Sequence, residues 1–416
     1  MVRLKYFLIM NKKKFEISHL ISQGAKLRGA GSDKVSTPWG VGSDNSNLID
    51  LRVGMPDREN LPSLAFAKHI SDILESGDVK ALEYEYGSGD ADLKAILSDP
   101  DYGFTDHSAI PDQFAFYNGS SGCMEAFCAT FVDKDDVVIV EGPSFPGTVR
   151  AILRSEGFIR EVGSDLEGAS IGEIEEIYLD CVANDRTLKA IYTIPDFHNP
   201  LGRTMSLPRR KEIADFCQER EILVLEDTTY SGLYFDSPPP SSIYSISSGI
   251  GVLQMGTFSK TIATGLRLGW LHGTAKLIAA LHKTRSDLGN VPFIQNAVSR
   301  FILSGEYDEH IVEMRSLYGV KCQNLCRSLD ENCAEYIDYQ IPGGGFYLWL
   351  KILGVSATDL VEKAWEGGLA FPDGNLFFQD PVKNENSIRL AFSGTPQDKL
   401  LEVGPILRRS FEKILD

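Results

Sequence analysis

The sequence predicts an α/β protein built on a mostly parallel sheet and followed by a smaller α+β unit, and three observations carry that prediction. Four apolar, β-branched-rich runs, Val137–Val140, Ala190–Ile194, Ile222–Leu225 and Val252–Met255, are bounded by polar or Gly/Pro residues, the pattern of strands buried on both faces. Helical periodicity separates these runs, and alternating strands and helices imply parallel pairing. After about residue 300 the pattern changes to a long polar helix, a strand and a closing helix, which reads as a second unit.

The elements follow in chain order. Residues 1–48 are expected to form a solvated N-terminal arm; the apolar run Tyr6–Met10 is too short for a signal sequence or a membrane span, and Met10 is a second possible start. Residues 49–295 are expected to form the large domain and 296–416 the small one. Met124, Phe127, Cys128 and Phe131 recur at helical spacing. "SLPRRKEIADFCQER" predicts a helix capped by Ser206, with Ile213, Phe216 and Cys217 turned inward. "DSPPPSSIYSISSG", Asp236 to Gly249, predicts a surface loop. "GEYDEHIVEMRSLYGVKCQNLCRSL" predicts the long helix, "GGGFYLWLKI" a strand and "DKLLEVGPILRRSFEKIL" the closing helix.

Composition narrows the function classes. The chain has 416 residues, enough for two lobes with a sizeable core, and 43% apolar with 24% charged residues argues against disorder. A formal net charge of -17 repels phosphate backbones and anionic lipid, so neither nucleic acid nor a membrane is an expected partner. The seven cysteines are odd in number and scattered, which points to a reducing, cytoplasmic setting. Cys322 and Cys326 share a helix face but have no further ligands nearby, so two small core residues are expected rather than a metal site.

Ligands of such sheets sit at the carboxyl ends of the strands, and here the strands run into "EGPSF", "PDFHNPLG", "EDTTY" and "GTFSK". Lys260, set among hydroxyls behind an apolar strand, is a candidate for Schiff-base chemistry, since desolvation and neighbouring charge lower an amine's pKa. Thr257 and Ser259 add hydroxyl donors, Arg267 a planar fork suited to phosphate, and Gly256, Gly265 and Gly269 allow close backbone approach. "YNGSSGCMEAF" offers a second anion site at a helix start, through Ser120, Ser121 and free amides; simple N-capping by Ser120 is the alternative.

Lys260 with Arg267 in "TFSKTIATGLRLGW", Asn199 in "HNPLG", Asp227 with Tyr230 in "EDTTY", and "PGGGFYLWL" together resemble the fold-type-I, class I/II aminotransferases that use pyridoxal 5'-phosphate. The resemblance covers roughly residues 49 to 410, and "SGEYDEHIVEMRSLY" with "SIRLAFS" looks most like the 2-aminoadipate and kynurenine branch. It implies a large domain with a seven-stranded, mostly parallel sheet and a smaller α+β C-terminal domain. It also implies a ping-pong transamination between an L-amino acid and a 2-oxo acid, with Lys260 carrying the Schiff base and moving the proton. By the same resemblance Asp227 pairs with the pyridine nitrogen, Asn199 and Tyr230 donate to the phenolic oxygen, and Phe145 stacks on the ring. Ser120, Ser121, Thr257, Ser259 and Arg267 hold the phosphate; Tyr84 reaches the phosphate of the neighbouring subunit of a homodimer, with Tyr86 as a competitor for that role. Arg389 grips the substrate α-carboxylate, with Gly54 lining the same pocket.

Each residue also has a plainer reading: Asn199 as a turn residue before Pro200, Tyr230 and Phe145 as core aromatics, Arg389 as a salt-bridge residue. The chain departs from the family pattern at His198, Thr228, Thr229 and Thr264, where glutamine, Asp-Pro and proline are common. His198 is read either as a substrate contact or as a loop histidine bonded to backbone. The rival functions are another pyridoxal-phosphate reaction on the same scaffold (lyase, decarboxylase or oxidase) and a cofactor-binding regulator of the kind fused to winged-helix modules, for which the first 50 residues are too short.

Overall fold

The computed structural model describes residues 18–21, 48–77, 79–87, 89–380, 383 and 386–416. Most of the predicted arm, 1–48, lies outside the described residues.

The strands in chain order are β1 (Ile49–Asp50), β2 (Phe114–Asn118), β3 (Val137–Glu141), β4 (Phe158–Val162), β5 (Ser164–Asp165), β6 (Gly168–Ala169) and β7 (Leu188–Thr193), then β8 (Leu223–Asp227), β9 (Val252–Thr257), β10 (Leu268–Gly273), β11 (Ile337–Tyr339), β12 (Tyr347–Ile352), β13 (Leu369–Ala370) and β14 (Ser387–Ala391). Seven of them form one sheet in the order β2-β10-β9-β8-β7-β3-β4. Pairing is parallel from β9 through β8, β7 and β3 to β4, while β10 runs antiparallel to both its neighbours. The four apolar runs are therefore the centre of this sheet. Every residue of β3, β9 and β10 is buried, as expected where helices cover both faces. Alternate residues serve different cores: Val138 and Val140 pack with Phe127 and Tyr192 on one face, Val137 and Ile139 with Ile174 and Ile213 on the other.

The helix Leu207–Glu219 is capped as its sequence requires, with Ser206 Oγ accepting from the Arg209 amide, and Ile213, Phe216 and Cys217 are buried. Ser120 caps nothing. Its helix, Gly119–Phe131, begins one residue earlier without a side-chain cap, so the capping alternative fails. The 236–249 segment is not wholly a surface loop: Ile243–Ile246 form a short helix with Ile243 and Tyr244 buried, and both amides donate to the buried Glu226 carboxylate. The signal missed is the apolar pair inside a Pro/Ser-rich run, which finds partners only once β8 is in place.

The C-terminal region holds the antiparallel sheet β11-β12-β14 and two long helices, Glu306–Cys333 and Gln397–Leu415. These helices pack closely at Gly404, where a Cβ would lie 1.9 Å from Ser328 O. Pro405, inside the second helix, cannot donate to Leu401 O, and Ser328 Oγ supplies that hydrogen bond at 2.7 Å. Cys322 and Cys326 are buried there with their sulfurs 4.0 Å apart. β1 pairs in parallel with β13, which ties the start of the described main body to this C-terminal region.

Candidate active site

The carboxyl ends of β7, β8 and β9 converge, and each presents one of the residues singled out from the sequence. β8 ends on Asp227, which is buried and accepts from Tyr192 Oη at 2.7 Å, from the Thr229 amide at 3.0 Å and from Thr229 Oγ1 at 2.5 Å. A carboxylate has about four acceptor positions, so one remains for a further donor. Burial pushes the Asp227 acid up, and the Thr229 and Tyr192 hydrogen bonds and the Lys260 charge offset only part of that rise.

Just beyond β9, Lys260 donates to Gly54 O at 2.8 Å, a partner 206 positions away. Desolvation, followed by the positive charges of Arg389 and Arg267, lowers its pKa to about 8, against an opposing pull from Asp227. The lysine therefore gives up its proton at a lower pH than an ordinary lysine does. Tyr230 and Asn199 are both buried. Tyr230 Oη lies 3.0 Å from Tyr347 Oη, and Asn199 Oδ1 accepts from Arg389 Nη1 at 3.0 Å.

Arg389 lies opposite Trp349 in the β12–β14 register and is 1% exposed, so it is no surface salt-bridge residue. Its guanidinium also donates to Arg52 O and lies over the rings of Tyr347 and Phe377, 4.6 and 4.7 Å from their centroids. Gly54 fits against Tyr347 so tightly that a Cβ would sit 2.2 Å from Tyr347 Oη. Gly54→Ala is therefore expected to cost about 1–3 kcal/mol of stability through overpacking; thermal unfolding of the variant checks it.

The glycine and hydroxyl cluster meets where β9 ends and β10 begins. Arg267 takes a left-handed backbone (φ +47) and donates Nη2 to Asn118 O at 3.0 Å, beside Gly119. A Cβ on Gly269 would lie 2.7 Å from the Gly119 carbonyl carbon, so only glycine permits this approach of strand to helix start. Thr257 Oγ1 donates to Ser259 Oγ and accepts from the Ser259 amide. Ser120 and Ser121 lie in the first turn of the helix starting at Gly119, whose leading amides have no intrahelical acceptor. Phe145 is half-buried just after β3.

Other residues stand apart from this constellation. Tyr84 and Tyr86 are 69% and 77% exposed, their rings 6.2 Å apart, with no contact to the Lys260 cluster. The His198 ring is buried, neither nitrogen has a hydrogen-bond partner, and Nε2 lies 3.8 Å from the Glu141 carboxylate, so the backbone-bonded reading fails. Burial lowers its pKa to about 4. A cavity of about 750 Å³ between β4 and the C-terminal sheet, lined by Glu161, Arg203 and Trp349 among others, includes none of the expected site residues. Tyr192, Tyr347 and Phe377 touch the site residues and were not singled out from the sequence, and Thr229 stood out there only as a departure from the family pattern. Tyr347 lies within the quoted "PGGGFYLWL", but nothing local says that its hydroxyl meets Tyr230.

Among the described residues there is no helix long and apolar enough to cross a membrane and no cluster of three or more His, Cys, Asp or Glu able to hold a metal. The donor set fits pyridoxal phosphate: a low-pKa amine for its aldehyde, a buried carboxylate with a spare lone pair for its ring nitrogen, and a glycine-lined helix start with an arginine for its phosphate.

The comparisons with known proteins agree. The chain is 27% identical to aromatic-amino-acid aminotransferase 1 of Thermococcus litoralis over 86% of this chain and 87% of that one. It is 28% identical to the 2-aminoadipate transaminase of Thermus thermophilus, over 88% and 91%. It superposes with a TM-score of 0.83 on the α-aminoadipate aminotransferase of Thermus thermophilus complexed with N-(5'-phosphopyridoxyl)-L-leucine, at 25% identity, covering 96% of this chain and 99% of that one. With residues 46–403 matched by the profile described as aminotransferase class I and II, the chain belongs to that family of pyridoxal-phosphate-dependent aminotransferases.

Proposed function

We propose that the amino donor is an L-amino acid with an aromatic or long side chain, the classes for which the two relatives are named, and that the acceptor is a 2-oxo acid. The observation that supports this reading of the site is the convergence of Lys260, bonded to Gly54 O, with Asp227 at the end of β8 and the Arg389–Asn199 pair, all near enough for Asp227 and Arg389 to act on the Lys260 charge. Bound there, pyridoxal phosphate supplies an aldehyde for amine exchange and an electron-withdrawing ring. Lys260 would hold it through its side-chain amine, and the same amine would serve as the base for the substrate Cα proton. Asp227 would keep a proton on the ring nitrogen, Tyr230 and Asn199 would serve the phenolic oxygen, and Phe145 would pack against the ring. Ser120, Ser121, Thr257, Ser259 and Arg267 take the phosphate.

Arg389 binds the α-carboxylate with its fork, and Gly54 lines that pocket. Arg389→Ala is expected to raise KM for amino acids about 10²-fold or more while cofactor binding persists, since a buried charge-assisted pair is lost; steady-state kinetics beside cofactor titration checks this. Two such chains form a homodimer in which Tyr84 reaches the partner's phosphate. The exposed apolar run Leu64, Leu74, Val79, Leu82, Tyr84 and Tyr86 supports this, because a surface of that kind asks for a partner. A panel of amino donors against 2-oxoglutarate and pyruvate, read by product formation, tests the substrate assignment. Turnover of small aliphatic donors alone would reject it.

A further inference from the structure

Lys321 and Asp57 form a buried ion pair that touches none of the expected cofactor residues directly, and nothing in the chemistry above uses it. Lys321 is 1% exposed and Asp57 7%, and their positions are 264 apart in the chain. Burying two charges is expensive, so the pair calls for an account of what it holds. Burial pushes the Asp57 acid up, but Lys321, Asn60 and the Glu59 amide outweigh it and keep the carboxyl below its ordinary range.

What it holds is the strap 51–57, which carries Gly54. Beside local bonds of Arg52 to Asp50 and of Asp57 to Glu59 and Asn60, the long-range polar anchors of this strap run mostly to the C-terminal region. Leu51 O accepts from the Ala391 amide at 2.9 Å, Arg52 O from Arg389, and Met55 O from Ser393 Oγ at 2.7 Å. The Asp57 amide donates to Tyr318 Oη at 3.0 Å. One carbonyl turns the other way: Gly54 O takes the Lys260 amine. Lys321 then closes the frame, because the same ammonium that pairs with Asp57 also donates to Ser393 O at 2.7 Å. Ser393 lies four residues beyond Arg389, so Lys321 sets the spacing between the end of the strap and the strand that carries the arginine. The strap cannot relax toward Tyr347 either, since Gly54 is already as close as a residue without a side chain allows.

We propose that the Asp57–Lys321 pair is a positioning element for the substrate carboxylate pocket, holding the strap in register so that Arg389 and the Gly54 backbone face the substrate at a fixed spacing. The proposal rests on the roles given above for Lys260 and Arg389. Lys321 touches no reacting atom, so its removal should loosen substrate binding and leave the proton-transfer step and the cofactor in place.

The test is made on the purified holoenzyme. Asp57→Asn combined with Lys321→Met removes both charges and leaves no uncompensated ion; Lys321→Arg keeps the charge, and Ser393→Ala removes only the Met55 anchor. The double variant is expected to raise KM for the amino donor about tenfold or more with kcat within about threefold, a split that a general loss of folding does not produce. Lys321→Arg should recover most of the affinity, and Ser393→Ala should move KM in the same direction by a smaller factor. Unchanged KM in both the double variant and Ser393→Ala overturns the proposal. So does a parallel fall of kcat, pyridoxal phosphate affinity and melting temperature that Lys321→Arg fails to rescue. Failure of the underlying site reading shows separately, as absence of borohydride-fixed cofactor on Lys260 in the wild-type protein.

Discussion

Lys260→Ala is expected to lose at least about 10⁴-fold in turnover, because under the role proposed for Lys260 one substitution would remove both the covalent attachment and the general base, and general base catalysis alone contributes about 10²–10⁴. Borohydride reduction followed by peptide mapping should find the cofactor fixed on Lys260 in the wild type and on no residue in the variant. Fixation on another lysine would sink the assignment. The pH dependence has a definite sign. A lysine with a pKa of about 8 gains its reactive neutral form as pH rises through 8, some two units earlier than an ordinary lysine. Attachment of added pyridoxal phosphate to cofactor-stripped protein should therefore speed up about tenfold per unit between pH 6 and pH 7 and level off above 8. A rate still climbing steeply at pH 10 would show that Arg389, Arg267 and desolvation do not act on this amine as described.

Asp227→Asn is the second large effect. The substitution keeps the shape and most hydrogen bonding at the end of β8 but removes the negative charge that the proposed role sets opposite the ring nitrogen. Losing one member of a buried, hydrogen-bonded charge pair costs about 3–5 kcal/mol, which corresponds to a drop of about 10²–10⁴ in kcat. Cofactor should remain attached to Lys260, with a visible absorption whose position and pH response differ from the wild type. Wild-type kcat in this variant would show that no charge is needed there. The bonds that Thr229 and Tyr192 make give a reason to expect the fold to survive, since an amide oxygen can keep both Thr229 donors and the amide NH2 can donate to Tyr192 Oη instead.

Much of the architecture was readable from local pattern. β3, β7, β8 and β9 were visible as apolar runs because strands buried on both faces need no alternation, and their order with intervening helices fixed the parallel sheet. β2 and β10 were not, although Phe114–Asn118 is apolar as well: its neighbour β10 is distant in sequence and antiparallel, and no local signal records that pairing. The buried turn at Ile243 was lost for a similar reason, since Pro and Ser dominate the composition while Glu226, which receives its amides, lies on another element. Ser120 was weighed as a cap because serine before a helical run usually is one; the backbone starts the helix a residue earlier and leaves the hydroxyl free of that duty.

The sequence by itself determined the order of buried strands, the placement of Asp227 and Lys260 at their carboxyl ends, and the family resemblance, because these depend on side-chain period and on residues close along the chain. Only the tertiary structure decided that Gly54 O meets Lys260, that Tyr347 joins Tyr230 to the arginine pocket, and that Lys321 locks Asp57. The Gly54–Lys260, Tyr230–Tyr347 and Asp57–Lys321 contacts join positions more than a hundred residues apart. They exist only where two sheets and the long Glu306–Cys333 helix have packed to a fixed spacing, and hydrophobic periodicity specifies which face of an element is buried, not which distant atom it is buried against.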